Sequence, residues 1–423
     1  MKRLLIALLG LLSALGVVAC DASTATTTTT TTESVTTTTT TTSATTTTTT
    51  TVTTTTGPQS LVDQIPAECA DLEIVDGWVP VWCDEFETSY PTTILDSAKW
   101  VFEQGTGSGG WGNNEDQYYT YRDQDNAKVE DGLFKIIAIR ENMGGMQYTS
   151  SRVRTRPGNE WTYGKFVMRA KQPSGRGTWS AFWMMPRTNT YGGWPRSGEI
   201  DIVEYVGYDV NRVHGAIHTE RYNGTNNRGG SRLSLISLET QFHEYSVIWE
   251  PGRIEWFFDG VSYNVETYDP NLSYSYREAV NVDWPFDRPF YIILNLAIGG
   301  NWGGAQGIDN TIFPASFEID YVRVYQQDHA YGDTEAPSLP RTVRTLLREG
   351  TTAYITWQAS TDNRAVRQYL IFVNGVYVKA TSVWGVQLTN LTPGTDHLVS
   401  IVAEDYAGNL SSSFDLIVNI PIA

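Results

Sequence analysis

Cysteine and histidine are scarce in these 423 residues, with three of the first and five of the second. The histidines are scattered and no Cys/His cluster has zinc spacing, which excludes a zinc-built scaffold. Positive charge is short as well: 30 Lys and Arg stand against 47 Asp and Glu, a formal charge of −17. Such a surface repels phosphate backbones, so no nucleic-acid partner is expected, whereas a neutral polymer meets no such penalty. Helical periodicity is nearly missing beyond the N-terminus, and short runs divided by Gly, Pro, Asn and Asp read as strands.

What is present points to an exported, all-β protein of two folded units. A 40% hydrophobic content over this length is enough for one large core and one smaller core. The 14 tryptophans and 23 tyrosines exceed ordinary usage. Sugar rings present flat C–H faces to such planes, although most aromatics are expected in the core.

Lys2 and Arg3 precede an apolar run from Leu4 to Val18, the pattern of a secretory signal over residues 1–19. Val17-Val18-Ala19-Cys20 resembles a bacterial lipobox, which implies lipidation at Cys20 and a membrane-anchored, cell-surface protein. An ordinary signal peptide with an incidental cysteine is the alternative. Residues 20–57 are almost all threonine, cannot build a core and read as a tether. With Cys20 lipidated, Cys69 and Cys83 are left as an even pair in an oxidising compartment, and a disulfide between them is expected.

The decisive stretch is Gly198-Glu199-Ile200-Asp201-Ile202-Val203-Glu204-Tyr205-Val206-Gly207. On a strand, Glu199 and Asp201 share a face and Ile200 and Ile202 take the other. Glu204 lies at an odd offset from Glu199 and joins that face only if a β-bulge around Val203 absorbs one residue. Burying a lone carboxylate under the sheet would cost several kcal/mol, so the bulged reading is favoured. The two glutamates then stand about four strand steps apart, roughly 13 Å between Cα atoms, and can lean together. Carboxyl groups about 5–5.5 Å apart are what a retaining glycosidase requires. Glu199 then acts as nucleophile, Glu204 as acid/base, and Asp201 keeps Glu204 protonated and orients Glu199. A solvated strand face or a cation site is the plain alternative.

Together with Gly110-Trp111-Gly112-Asn113-Asn114-Glu115, Tyr148-Thr149-Ser150-Ser151-Arg152, Trp179-Ser180-Ala181-Phe182-Trp183 and Gly192-Gly193-Trp194-Pro195, this run resembles glycoside hydrolase family 16. The bulged Glu-x-Asp-x-x-Glu form is similar to that of its laminarinases, endo-acting β-1,3-glucanases. The resemblance implies a β-jelly-roll, concanavalin A-like sandwich with an open cleft, retaining chemistry and the same three acid roles. It further implies cleft positions at Asn113, Glu115, Arg152, Trp179, Trp183, Trp194, His218 and Trp302. Of these, Trp179 and Trp194 would stack on sugar, and Trp302 would cap one end. His218 also admits a plainer reading as a buried histidine bonded to backbone. No cofactor is needed for such catalysis; a structural calcium on backbone oxygens of Glu85, Gly132 and Asp320 is a further implication.

The catalytic unit is expected over 58–328 and a linker over 329–340. Residues 341–423 resemble a fibronectin type III module, through Tyr354-Ile355-Thr356-Trp357, Asn374-Gly375, Leu391-Thr392-Pro393-Gly394 and Ala403-Glu404-Asp405-Tyr406-Ala407-Gly408-Asn409. His397 stands where that family places a corner tyrosine. A monomer is expected. The competing functions are a non-catalytic surface β-glucan-binding protein, and a hydrolase or transglycosylase of mixed-linkage glucan or algal galactan. Retention of both Glu199 and Glu204 favours the enzyme.

Overall fold

The computed structural model describes residues 60–87, 94–123, 125–268 and 283–421. The signal segment, Cys20 and the threonine tether lie outside the described residues. The described residues between Trp78 and Gln327 form a β-jelly-roll sandwich of two large antiparallel sheets. The outer sheet runs in the order Val261–Thr267, Arg253–Phe258, His243–Glu250, Gly164–Lys171, Ala315–Gln327, Leu133–Ala138 and Ala127–Glu130. Trp78–Asp84 also pairs with Ala315–Gln327. The inner sheet runs Arg228–Leu233, Arg212–His218, Glu199–Val206, Thr178–Pro186, Phe290–Ile298, Arg152–Thr155 and Trp100–Glu103.

Local chemistry sets the register at the hairpins. Asp259 (φ 46°) and Gly260 (φ 73°) make a two-residue turn of left-handed residues between Phe258 and Val261, whose twist suits an antiparallel pair. Alternation does the rest. In Thr178–Pro186, Phe182 and Met184 face the opposite sheet, where they meet a core that includes Phe166, Met168, Val247, Trp249, Trp256 and Phe317. Trp249 and Trp256 are fully buried, as their apolar neighbours in sequence suggest.

The bulge is present and its register is explicit. Glu199, Asp201 and Glu204 pair with His218, Ala216 and His214, so three steps on the acid strand face two on its neighbour after Asp201. Against the other neighbour, Asp201 pairs with Trp183 and Val203 with Phe182. Ile202 and Val203 both lie in the core, and Glu204 returns to the cleft face. The kink is tied from beneath: Trp256, on the outer sheet, donates its indole N–H to the Asp201 carbonyl at 2.8 Å. Gly215 makes room for that indole, since a Cβ there would fall 2.3 Å from Trp256 Cδ1.

Cys69 and Cys83 form a disulfide that fastens the short helical turn Ala67–Cys69 to Trp78–Asp84. Closing a loop of that size is worth about 3 kcal/mol in the chain-entropy account. The Glu85 carboxylate accepts two hydrogen bonds from Arg323, at 2.8 and 2.6 Å, and Asp320 is paired with Arg169. The carboxylates at the expected calcium position are thus turned to arginines, which leaves backbone oxygens, with Gly132 in a left-handed turn, as the available ligands.

The C-terminal residues build a second sandwich, with Arg341–Glu349, Thr352–Gln358 and Gly385–Leu388 in one sheet. Val376–Thr381, Val366–Val373, Asp396–Asp405 and Phe414–Asn419 form the other. Its separate core centres on Trp357, Tyr369, Ile371 and Ile401. His397 is buried and its Nε2 accepts the Thr392 N–H at 3.0 Å, so an imidazole makes a backbone tie at that corner.

Trp256→Phe keeps an aromatic ring but removes the indole N–H and part of a fully buried side chain, and should destabilise the sandwich by at least about 1–3 kcal/mol, the lost donor and the cavity adding together. Gly215→Ala should do at least as much harm by displacing the same indole. Both are checked by chemical denaturation, and a Trp256→Phe protein of unchanged midpoint would show that the tie is dispensable.

Candidate active site

The seven strands of the inner sheet carry one continuous cross-strand row: Ser231, His214, Glu204, Ala181, Asn295, Arg152 and Glu103. The next row passes through Ala216, Asp201, Trp183, Ile293 and Arg154. Glu199 and His218 begin a third. All three acids therefore look out of the same face.

Each glutamate is held by an indole. Trp194 Nε1 donates to Glu199 Oε2 at 2.8 Å, and Trp179 Nε1 donates to Glu204 Oε1 at 3.1 Å. The two tryptophans differ in exposure. Trp194 is 53% exposed and offers an open face suited to stacking. Trp179 is 9% exposed, packed with Val206, Ala297 and Trp302, and its polar edge is engaged with Glu204. Trp302 meets Trp179 edge-on at 5.6 Å and His214 at 5.0 Å, placing it at the Glu204 end of the acid row.

His218 is not a simple backbone-bonded core histidine. Its Nδ1 accepts the Gly224 N–H at 3.2 Å, which assigns the proton to Nε2. That nitrogen lies 3.1 Å from Asp201 Oδ2 and 3.8 Å from Glu199 Oε1. The contact to Asp201 is off the line of a good hydrogen bond, so Oδ2 is buried without a well-directed donor.

Burial pushes the Glu199 carboxyl up to about 8, and the neighbouring Asp201 charge adds to the rise; His218 and the Trp194 N–H oppose it. The Glu199 side chain keeps 16% of its surface open to the cleft, yet its desolvation still dominates. Asp201 is raised to about 7 by burial, against a hydrogen bond with Glu199 that lowers it. Glu204 is raised well above the usual carboxylate range, first by burial and then by the Asp201 charge. Three crowded carboxyls in a partly dry cleft cannot all ionise together near neutral pH, so charge on Glu199 or Asp201 keeps the proton on Glu204, as a general acid requires. Glu199, Asp201 and His218 also lie close enough to bind a metal ion.

The other expected cleft residues form a supporting network. Arg152 is clasped between Trp111 and Trp183, at 4.5 and 4.8 Å from the ring centres, and its Nε donates to Glu103 at 2.5 Å. Trp183 donates to Asn295 at 2.7 Å, Asn295 donates to the Tyr119 hydroxyl, and Tyr119 and Gln117 both donate to the buried Glu115. Asn113 sits on the adjoining loop, where its carbonyl accepts the Asn301 N–H at 2.8 Å. Glu103, Asn295, Tyr119, Gln117 and His214 escaped the sequence reading. Asn295 left a signal there, as the one polar side chain in the apolar run from Ile292 to Ile298.

Residues 114–323 match the glycosyl hydrolases family 16. The beta-glucanase of Rhodothermus marinus is 46% identical over 258 residues, covering 59% of this chain and 85% of that protein. The chain belongs to family 16. The glucan endo-1,3-beta-glucosidase of Cryptopygus antarcticus is 39% identical over 260 residues, covering 58% of this chain and 91% of its own length. The X-ray structure of the laminarinase from Rhodothermus marinus superposes with a TM-score of 0.55 at 46% identity, over 59% of this chain and 97% of that one.

The acid cluster sets a pH dependence. The native carboxyl values lie above those of the unfolded chain, so their contribution to stability is full below about pH 4 and is lost as pH rises through 7 to 8. Glu204→Gln removes one of these ionisations. Its melting temperature should fall less steeply than wild type between pH 6 and 9, by roughly 2–4 °C for each kcal/mol relieved; parallel curves would contradict the assignment.

Proposed function

We propose that this protein is a retaining endo-β-1,3-glucanase acting on laminarin-type β-glucan. The observation that carries the reading is the bulged register that sets Glu199, Asp201 and Glu204 on one cleft face. Glu199 attacks the anomeric carbon, while Glu204 protonates the departing glycosidic oxygen and later takes a proton from the incoming water. The Trp194 N–H and the nearby His218 favour the Glu199 anion needed for attack. Asp201 lies between the two and its charge holds the proton on Glu204. Trp194 supplies an aromatic face for a sugar ring, and Trp179 acts through Glu204 by fixing its carboxyl. Catalysis uses no cofactor. A structural calcium on the backbone oxygens of Glu85, Gly132 and Asp320 belongs to the same proposal.

The three-on-four strand arrangement of the C-terminal sandwich supports a fibronectin type III-like module. With Cys20 lipidated, the threonine tract would carry a monomeric enzyme away from the membrane on the cell surface. Cys20→Ala protein should then leave the membrane fraction; if it stays equally bound, the anchor is wrong.

The catalytic reading is tested on laminarin, lichenan, agarose and carrageenan by product analysis. Short β-1,3-linked products that keep the β-configuration at first release are expected from laminarin. Glu199→Gln should lose nearly all turnover while still binding, and Glu204→Gln should lose ~10²–10⁴-fold. Full activity in Glu199→Gln would overturn the mechanism.

A further inference from the structure

We propose that Asp333, Asp362 and Asp405 form a divalent-cation site, suited to Ca²⁺, that fastens the interdomain linker to the C-terminal sandwich. Asp333 lies in the segment after the catalytic sandwich, Asp362 follows the strand Thr352–Gln358, and Asp405 ends the strand Asp396–Asp405. One ligand oxygen from each lies within 4.8 Å of the other two.

The second observation is what these oxygens lack. Asp333 Oδ2 and Asp362 Oδ2 are shut off from solvent and have no hydrogen-bond partner, and Asp405 is 0% exposed. Among the described residues, none of the three is in an ion pair with Lys, Arg or His, and Glu404, next to Asp405 in the chain, takes Arg367 as its own partner. The companion oxygens are occupied. Asp333 Oδ1 accepts the Glu335 N–H and the Asn363 amide, at 3.1 and 3.2 Å, and Asp362 Oδ1 accepts the Arg364 N–H at 2.9 Å. Each carboxylate is thereby oriented by one oxygen, with Oδ2 left for something else. Asp405 is fixed by Asn409, whose N–H and amide donate to its two oxygens at 2.8 and 2.9 Å. The same amide reaches the Glu335 carbonyl at 3.0 Å, so the linker is already drawn toward the site.

Solvent-excluded carboxylate oxygens without donors are costly, and three like charges at this range repel one another. A hard cation reverses both effects. An all-oxygen set with three negative charges and irregular geometry fits Ca²⁺, which takes six to eight oxygens and tolerates water or carbonyls in the remaining positions.

The test uses the full chain, dialysed against EDTA and titrated with CaCl₂ by calorimetry. Wild type should take up one more Ca²⁺ per chain than Asp362→Asn or Asp333→Asn, while laminarin hydrolysis stays equal in all three. In wild type alone, proteolysis within 329–340 should slow roughly tenfold at a calcium concentration ten times Kd. Calcium uptake identical in wild type and both variants would overturn the site. So would linker cleavage in wild type that calcium leaves unchanged, a result that does not depend on the variants folding.

Discussion

The hydrogen bond from Trp256 Nε1 to the Asp201 carbonyl joins the two sheets at the point where the acid strand skips a residue. A bulge breaks the ladder and frees a backbone acceptor, and a freed acceptor inside a sandwich must find a donor. Here the donor comes from the opposite sheet, through the opening left by Gly215. The kink that aims Glu204 into the cleft is therefore part of the core packing and does not hang on the cleft side alone. That coupling explains how a strand can change the face of a charged residue in mid-course and still keep Ile200, Ile202 and Val203 in the core.

The cleft itself is electrostatically unfavourable to the fold. Three carboxyls share one surface with His218 and His214 on the neighbouring strand, and each carboxyl is raised above its ordinary value, first by burial. Two indole N–H groups offset part of this, one on each glutamate. The further half of the cleft does the opposite: Arg152, Glu103 and Glu115 are tied into a paired, hydrogen-bonded network with Asn295 and Tyr119. Burial raises the Glu115 carboxyl as well, but there hydrogen bonds from Gln117 and Tyr119 oppose the rise.

Much of this was legible in the chain. The parity of Glu199, Asp201 and Glu204 required a bulge before any fold was known, because a flat strand would have buried a charge. Asp259-Gly260 carries its turn in its residue types, and the apolar neighbours of Trp249 and Trp256 mark a core. The low exposure of Trp179 was not legible there: it comes from Val206, Ala297 and Trp302, the last more than a hundred residues away. The partners of the Arg152 guanidinium, Trp111, Trp183 and Glu103, likewise come from distant stretches of the chain.

The sequence by itself determined the strand-rich architecture, the shared face of the three acids and the class of chemistry, because strand periodicity and the cost of burying charge act on neighbours along the chain. Only the tertiary structure decided which tryptophan stays open and which one is locked onto a glutamate. It also decided which nitrogen of His218 carries the proton, and that Asp333 meets Asp362 and Asp405. Those outcomes depend on groups brought together across sheets and loops, and no local pattern records such meetings.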